Sequence, residues 1–162
     1  MIRIRTFCAE DAASVNRVTL AAWDQYREVF SDWPRTADFF AKAADLHKEI
    51  ELLVAEDDEE MLGVVGYVRP RLKREDIFDP AWAIIRMLSV HPLARGRGVG
   101  RQLSQACIDR ARRDGAQTIG LHTSPVMSIA LPMYLRMGFV HFQDIPNRNG
   151  LPYAVYTLSL ST

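Results

Sequence analysis

Between Ser89 and Arg101 the chain reads Ser89-Val90-His91-Pro92-Leu93-Ala94-Arg95-Gly96-Arg97-Gly98-Val99-Gly100-Arg101, with three glycines interleaved among three arginines. Glycines let a backbone approach a ligand closely. At the start of a helix the unpaired amides point outward and carry partial positive charge, which suits a phosphate. Arg95, Arg97 and Arg101 add full charges and fixed donors. Two phosphate loops are excluded by spacing. The dinucleotide pattern G-x-G-x-x-G needs a third glycine where Arg101 stands, and the P-loop needs a Lys-Ser or Lys-Thr that does not follow. What remains is Arg95-x-x-Gly98-x-Gly100, a phosphate cradle or simply a tight turn with solvated arginines.

The neighbouring elements place this loop. Ala81 to Val90 reads as a strand, stopped by Pro92, which cannot donate to a central ladder. Beyond the loop, Val99, Leu103, Ala106, Cys107 and Ala111 repeat at spacings of three and four, which predicts a helix over 98–114 closed by Gly115. Upstream, Ile2 and Ile4 alternate with arginines in a first strand, and a helix runs from Ala12 to Trp23. Gln25 to Phe40 predicts two short helices around a Trp33-Pro34 turn, its rings mostly packing. Leu52 to Ala55 and Leu62 to Val68 form a hairpin about the acidic run 56–60. Downstream come a strand at Thr118 to Thr123, a mostly helical stretch from Ser124 to Met137, a strand from Phe139 to Phe142, a turn at Asn147 to Gly150 and a last strand from Tyr153 to Leu158.

A second pattern stands after the loop: Ala130-x-x-x-Tyr134-x-x-x-Gly138-Phe139. Together, the two patterns and the order β-α-α-β-β-β-α-β-α-β-β resemble the GCN5-related N-acetyltransferase (GNAT) family across nearly the whole chain. The resemblance implies an α/β (α+β) fold, with a mixed central sheet of about seven strands and helices on both faces, in a single domain spanning 1–162. It implies an enzyme that moves an acetyl group from acetyl-CoA directly to an amine acceptor, either a small molecule or a protein amine. A non-catalytic acyl-CoA-binding or regulatory domain on the same fold is the alternative.

Site roles follow from the same resemblance. Arg95, Gly96, Arg97, Gly98, Val99, Gly100 and Arg101 would hold the pyrophosphate. The backbone of Leu88, Ser89 and Val90 would pair with the pantetheine arm like an added strand. Ser128 stands where many relatives carry an asparagine that contacts this arm, and it could equally be a helix N-cap. Tyr134 matches the tyrosine that faces the thiol. A phenol with a pKa near ~10 is matched to an alkyl thiol and can return a proton to the thiolate. Pro132, two residues earlier, threatens to bend that helix unless it sits in the first turn. Many relatives use a carboxylate base on the fourth strand, but here Arg86 is that strand's only charged residue. Elsewhere the candidates are His122, Asp24 and Glu28; a water chain, or an amine that arrives neutral, would need no side-chain base, and none is assigned. Arg86 could also meet an acceptor carboxylate if it faces the cleft, with a structural ion pair as the preferred reading.

Composition narrows the partners. The chain has 162 residues, 48% apolar and 25% charged, with Lys plus Arg and Asp plus Glu at 20 each. That balance offers no basic field for nucleic acid. No apolar run approaches membrane-spanning length, and the charged N-terminus is unlike a signal peptide. Cys8 and Cys107 lack metal-ligand spacing, as do the four histidines, so no metal is expected and a cytoplasmic setting is. The resemblance leaves a homodimer open, with the rings of Tyr153 and Tyr156 available for it.

Overall fold

The computed structural model describes residues 1–161. Its elements are β1 (Arg3–Thr6), α1 (Ala12–Asp24), α2 (Trp33–Phe40), β2 (Glu51–Asp57), β3 (Glu60–Val68), β4 (Ala83–Val90), α3 (Val99–Arg113), β5 (Thr118–Thr123), α4 (Ala130–Arg136), β6 (Val140–Arg148) and β7 (Leu151–Ser159), with short 3-10 turns between some of them. The expected order is the observed order. The seven strands form one sheet in the order β1-β2-β3-β4-β5-β7-β6, antiparallel except for the β4–β5 pair.

Alternation along the central strands gives the sheet two buried faces. On β2, Leu52 and Val54 pack with Val15 and Val18 of α1, while Leu53 and Ala55 pack with Leu103 and Cys107 of α3. Tyr134 of α4 and Phe139 join the α3 side. The helix predicted over 98–114 is α3, with Val99, Leu103, Cys107 and Ala111 buried. Tight two-residue turns join the hairpins. Asp58 and Glu59 (φ 50 and 69), and Asn149 and Gly150 (φ 52 and 77), all take the left-handed backbone whose twist matches paired strands.

Three local expectations are revised. Trp33-Pro34 is not a turn between two helices. Gln25 to Asp32 is a series of turns, and Pro34 lies in the first turn of the single helix α2, where its missing N–H leaves no bond unmade. The helix expected from Ser124 begins only at Ala130. Ser124 Oγ accepts from the Val126 amide at 3.2 Å, and Ser128 N–H donates to Val126 O at 2.8 Å, so local turns hold the backbone that a helix would need. The strand read as Phe139 to Phe142 extends to Arg148, because the Asn149-Gly150 turn brings β7 back alongside it.

Candidate functional site

The site begins where two strands part. β4 and β5 are paired only at Ala83–Ile119 and Ile84–Gly120. Past Ile85 the β5 side of β4 is therefore released from the ladder. On its other side β4 carries a bulge: Arg86 faces Gly66 and Ser89 faces Val64, so Met87 and Leu88 together oppose Val65. Met87 sits at φ 58, a conformation that costs a non-glycine residue roughly 1–3 kcal/mol and is held only by its surroundings.

Those surroundings are specific. Trp23 Nε1 donates to Ser89 Oγ at 3.0 Å, and Ser89 Oγ donates to Met87 O at 3.0 Å. Trp23 is itself stacked on Phe40, with centroids 4.9 Å apart. The Ser89 side chain is thus turned inward and pins the bulge. Ser89→Ala is expected to destabilise the protein by about 1 kcal/mol, since it leaves the partly buried Trp23 N–H and the Met87 carbonyl without their partner. Chemical denaturation checks this, and an unchanged midpoint would show that the bulge holds without the relay.

At the other end of the opening lies the N-terminus of α3. Gly98 takes φ 77 as its N-cap. Gln102 N–H, donating to Gly98 O at 3.0 Å, is the first helix amide with an acceptor. The amides of Val99, Gly100 and Arg101 have none among the described residues, as expected of a helix start. A Cβ on Gly100 would stand 3.3 Å from Met133 Sδ and 3.6 Å from Leu88 and Val90 methyls, so this glycine keeps a narrow space open between β4, α3 and α4.

A cleft of ≈ 1190 Å³ joins the two ends. Leu88, Val90, Arg95, Gly96, Gly98, Val99, Gly100 and Arg101 line it. Arg97 does not: its guanidinium reaches Asp57 at 2.5 Å, and the chain's N-terminal amine and Arg97 together hold that carboxyl below the usual carboxylate range. Ser128 is exposed and lies outside the lining. It is also not the N-cap of α4, which is Ile129.

Tyr134 lines the cleft with Met133 and Met137. It is 4% exposed and packs edge-on against Phe139 at 5.3 Å. Burial pushes its phenol well above the ordinary tyrosine value, with the Ser104 hydroxyl opposing this weakly. Pro132 is the third residue of α4, inside the first turn, so no helix bond is lost and the ring stays at the cleft.

The candidate bases separate. His122 lines the cleft, sandwiched between Phe78 and Tyr153, and burial pushes its pKa down to about 4 with the Arg148 charge adding to this. It is neutral at pH 7, and its Nδ1 is buried without a partner. Asp24 instead pairs with Arg27 at 3.1 Å, and neither it nor Glu28 reaches the lining.

The aromatic stretch serves two ends. Phe30, Trp33, Met127 and Leu151 form a small core, while Trp23, Tyr26, Phe30 and Phe39 also wall the cleft opposite Tyr153. The segment docks through Ser31 N–H, which donates to Asn149 O at 3.0 Å. Tyr153 therefore faces the cleft, and Tyr156 packs inward on His141, so neither ring stands out on the surface for a second copy. Trp23, Met127, Met133 and Arg136 are lining residues that no local pattern in the sequence marks.

Comparison with known proteins agrees with this geometry. Residues 15–139 match the model of the acetyltransferase (GNAT) family. A GCN5-related N-acetyltransferase from Rhodopseudomonas palustris superposes with TM-score 0.75 at 27% identity, covering 98% of this chain and 95% of that one. A GNAT acetyltransferase from Brucella melitensis, in complex with acetyl-CoA, gives TM-score 0.66 at 22% identity over 100% and 90% of the two chains. The PaiA N-acetyltransferase from Thermoplasma acidophilum, in complex with coenzyme A, gives 0.75 at 16% over 96% and 98%. No curated protein matches significantly in sequence. With more than half its length matched by the family model on a seven-stranded sheet of the same architecture, the chain belongs to the GNAT acetyltransferase family.

Proposed function

We propose that this protein transfers an acetyl group from acetyl-CoA directly to the nitrogen of an amine. The observation that carries the reading is the continuity of the cleft. It runs from the unpaired amides at the start of α3, past the released edge of β4, to Tyr134 and His122. The residues present fit the coenzyme. Amides of 98–101 with Arg95 and Arg101 suit its pyrophosphate, and the space that Gly100 keeps open admits a narrow chain. Bound acetyl-CoA supplies an activated thioester.

The protein's own residues do the rest. The backbone of Leu88, Ser89 and Val90, on the side β5 has left, offers hydrogen bonds to the pantetheine arm. This fixes the thioester against the bulge and turns a bimolecular encounter into an oriented one. Tyr134, kept protonated by burial, donates to the departing thiolate. No carboxylate projects from β4, so the amine gives its proton to water in the cleft.

The whole chain acts as one domain in this reading, since one sheet takes strands from Arg3 to Ser159. Two free thiols, Cys8 and Cys107, suit a reducing cytosol. No helix among the described residues is long and apolar enough to cross a membrane. The test is release of free coenzyme A thiol from acetyl-CoA across a panel of amines, with the acetylated product identified by mass spectrometry. Amine-dependent release is the expected result. Coenzyme A binding with no release for any amine would instead identify a non-catalytic acyl-CoA-binding domain.

A further inference from the structure

The charge lining the cleft is out of keeping with the rest of the molecule. The chain is neutral overall, yet six arginines (35, 86, 95, 101, 136 and 148) line the cleft against a single carboxylate, Asp32. Arg95 and Arg101 stand at the α3 loop, where phosphates account for them. At the opposite end Arg148 is already satisfied, gripping both oxygens of Glu75. Arg86 is not. It stands half-buried on β4, immediately before the bulge, and makes no ion pair or side-chain hydrogen bond among the described residues.

A half-buried guanidinium that makes no hydrogen bond or ion pair of its own keeps its donors free for an anion that arrives with the ligand. Beside it lies His122, and the rings of Tyr26, Phe30 and Tyr153 wall the same cleft. The charges of Arg148, Glu75 and Arg86 all act on His122, which places the four groups together. Among the charges that act on His122, those of Arg148 and Glu75 cancel and leave the positive charge of Arg86. A polyamine or a lysine-rich peptide would meet that charge head-on.

We infer that the acceptor is a small primary amine bearing an oxyanion, in the manner of an α-amino acid with an apolar side chain, and that Arg86 is the residue that binds this anion. The inference rests on the acetyl-transfer reading above. It deepens that reading by naming the substrate class and the specificity-determining residue. The anion pairs with the Arg86 guanidinium, the apolar side chain lies against the aromatic wall, and the amine is left facing the thioester side of the cleft.

The test uses matched pairs: phenylalanine, methionine and leucine, each against its own α-carboxamide, with spermidine and a lysine-containing peptide beside them. For at least one pair the acid should exceed its amide in kcat/KM by about 10- to 100-fold, the worth of a hydrogen-bonded charge pair. Arg86→Gln should bring that ratio to about one, mainly by raising KM for the acid. Arg86→Lys, which keeps the charge, should keep part of the preference and guards against a variant that fails to fold. Preference for amides, for spermidine or for the peptide overturns the inference, as does an acid-to-amide ratio that Arg86→Gln leaves unchanged. If coenzyme A binds but no amine is turned over, the transferase reading fails on its own. The anion site is then read from thermal shifts of the coenzyme A complex: stabilisation by acids over amides supports it, and equal shifts overturn it.

Discussion

Replacing Tyr134 by phenylalanine should lower kcat by about 10²–10⁴-fold, the usual worth of a general acid, while KM for acetyl-CoA should stay near its wild-type value. The substitution removes one hydroxyl from a ring that packs on Phe139 and faces the cleft. The ring contacts remain, so stability changes little. In the proposed mechanism the phosphates and pantetheine arm are held elsewhere, so the loss should fall on the step in which the thiolate departs. The pH profile separates catalysis from packing. Burial raises the phenol's pKa above the ordinary ~10, so the acid form persists through the whole neutral and mildly alkaline range. The wild type should decline only above that range, and Tyr134→Phe should lack this limb. A tyrosine that only packs would give near-normal turnover and an unchanged profile.

Gly100→Val should weaken coenzyme A binding by at least about 100-fold, well beyond the loss of one contact, because the new side chain occupies the ligand's path. Its Cβ alone would lie 3.3 Å from Met133 Sδ and 3.6 Å from Leu88 and Val90. Gly98 is a poorer probe. It sits at φ 77, where any side chain strains the backbone, so a loss there mixes distortion with obstruction. Isothermal titration calorimetry measures the affinity, and circular dichroism checks that α3 survives. Gly100→Ala, with one methyl, should fall between wild type and Val. Unaltered affinity in both variants would remove the coenzyme from this part of the cleft.

What could be read from sequence was what is local. Glycine spacing marked the α3 start, the 3.6-residue period marked its buried face, and Gly138-Phe139 marked the end of the helix that carries Tyr134. Hidden were the features made by residues far apart in the chain. Arg97 reads like its neighbours Arg95 and Arg101, and only the fold brings Asp57, 40 residues away, to claim it. Nothing in Met87 announces a left-handed backbone. That conformation is imposed by the bulge and held through Ser89 and Trp23, 66 residues apart. The delayed start of α4 reflects the Ser128 amide, which bonds Val126 O two residues back and not the helical acceptor four back, a balance that periodicity does not register. Arg86 was visible as the lone charge on its strand. Its orientation toward the cleft depended on where β5 diverges.

Amide NMR on the ¹⁵N-labelled protein, titrated with coenzyme A, reads most directly whether the cleft between α3 and the parted strands seats the coenzyme. Shifts should concentrate at Gly98 to Gln102 and at Leu88 to Val90, and should saturate together with the calorimetric isotherm. Amides there that stay unmoved at saturation, with shifts gathered on another face of the sheet, would contradict the assignment.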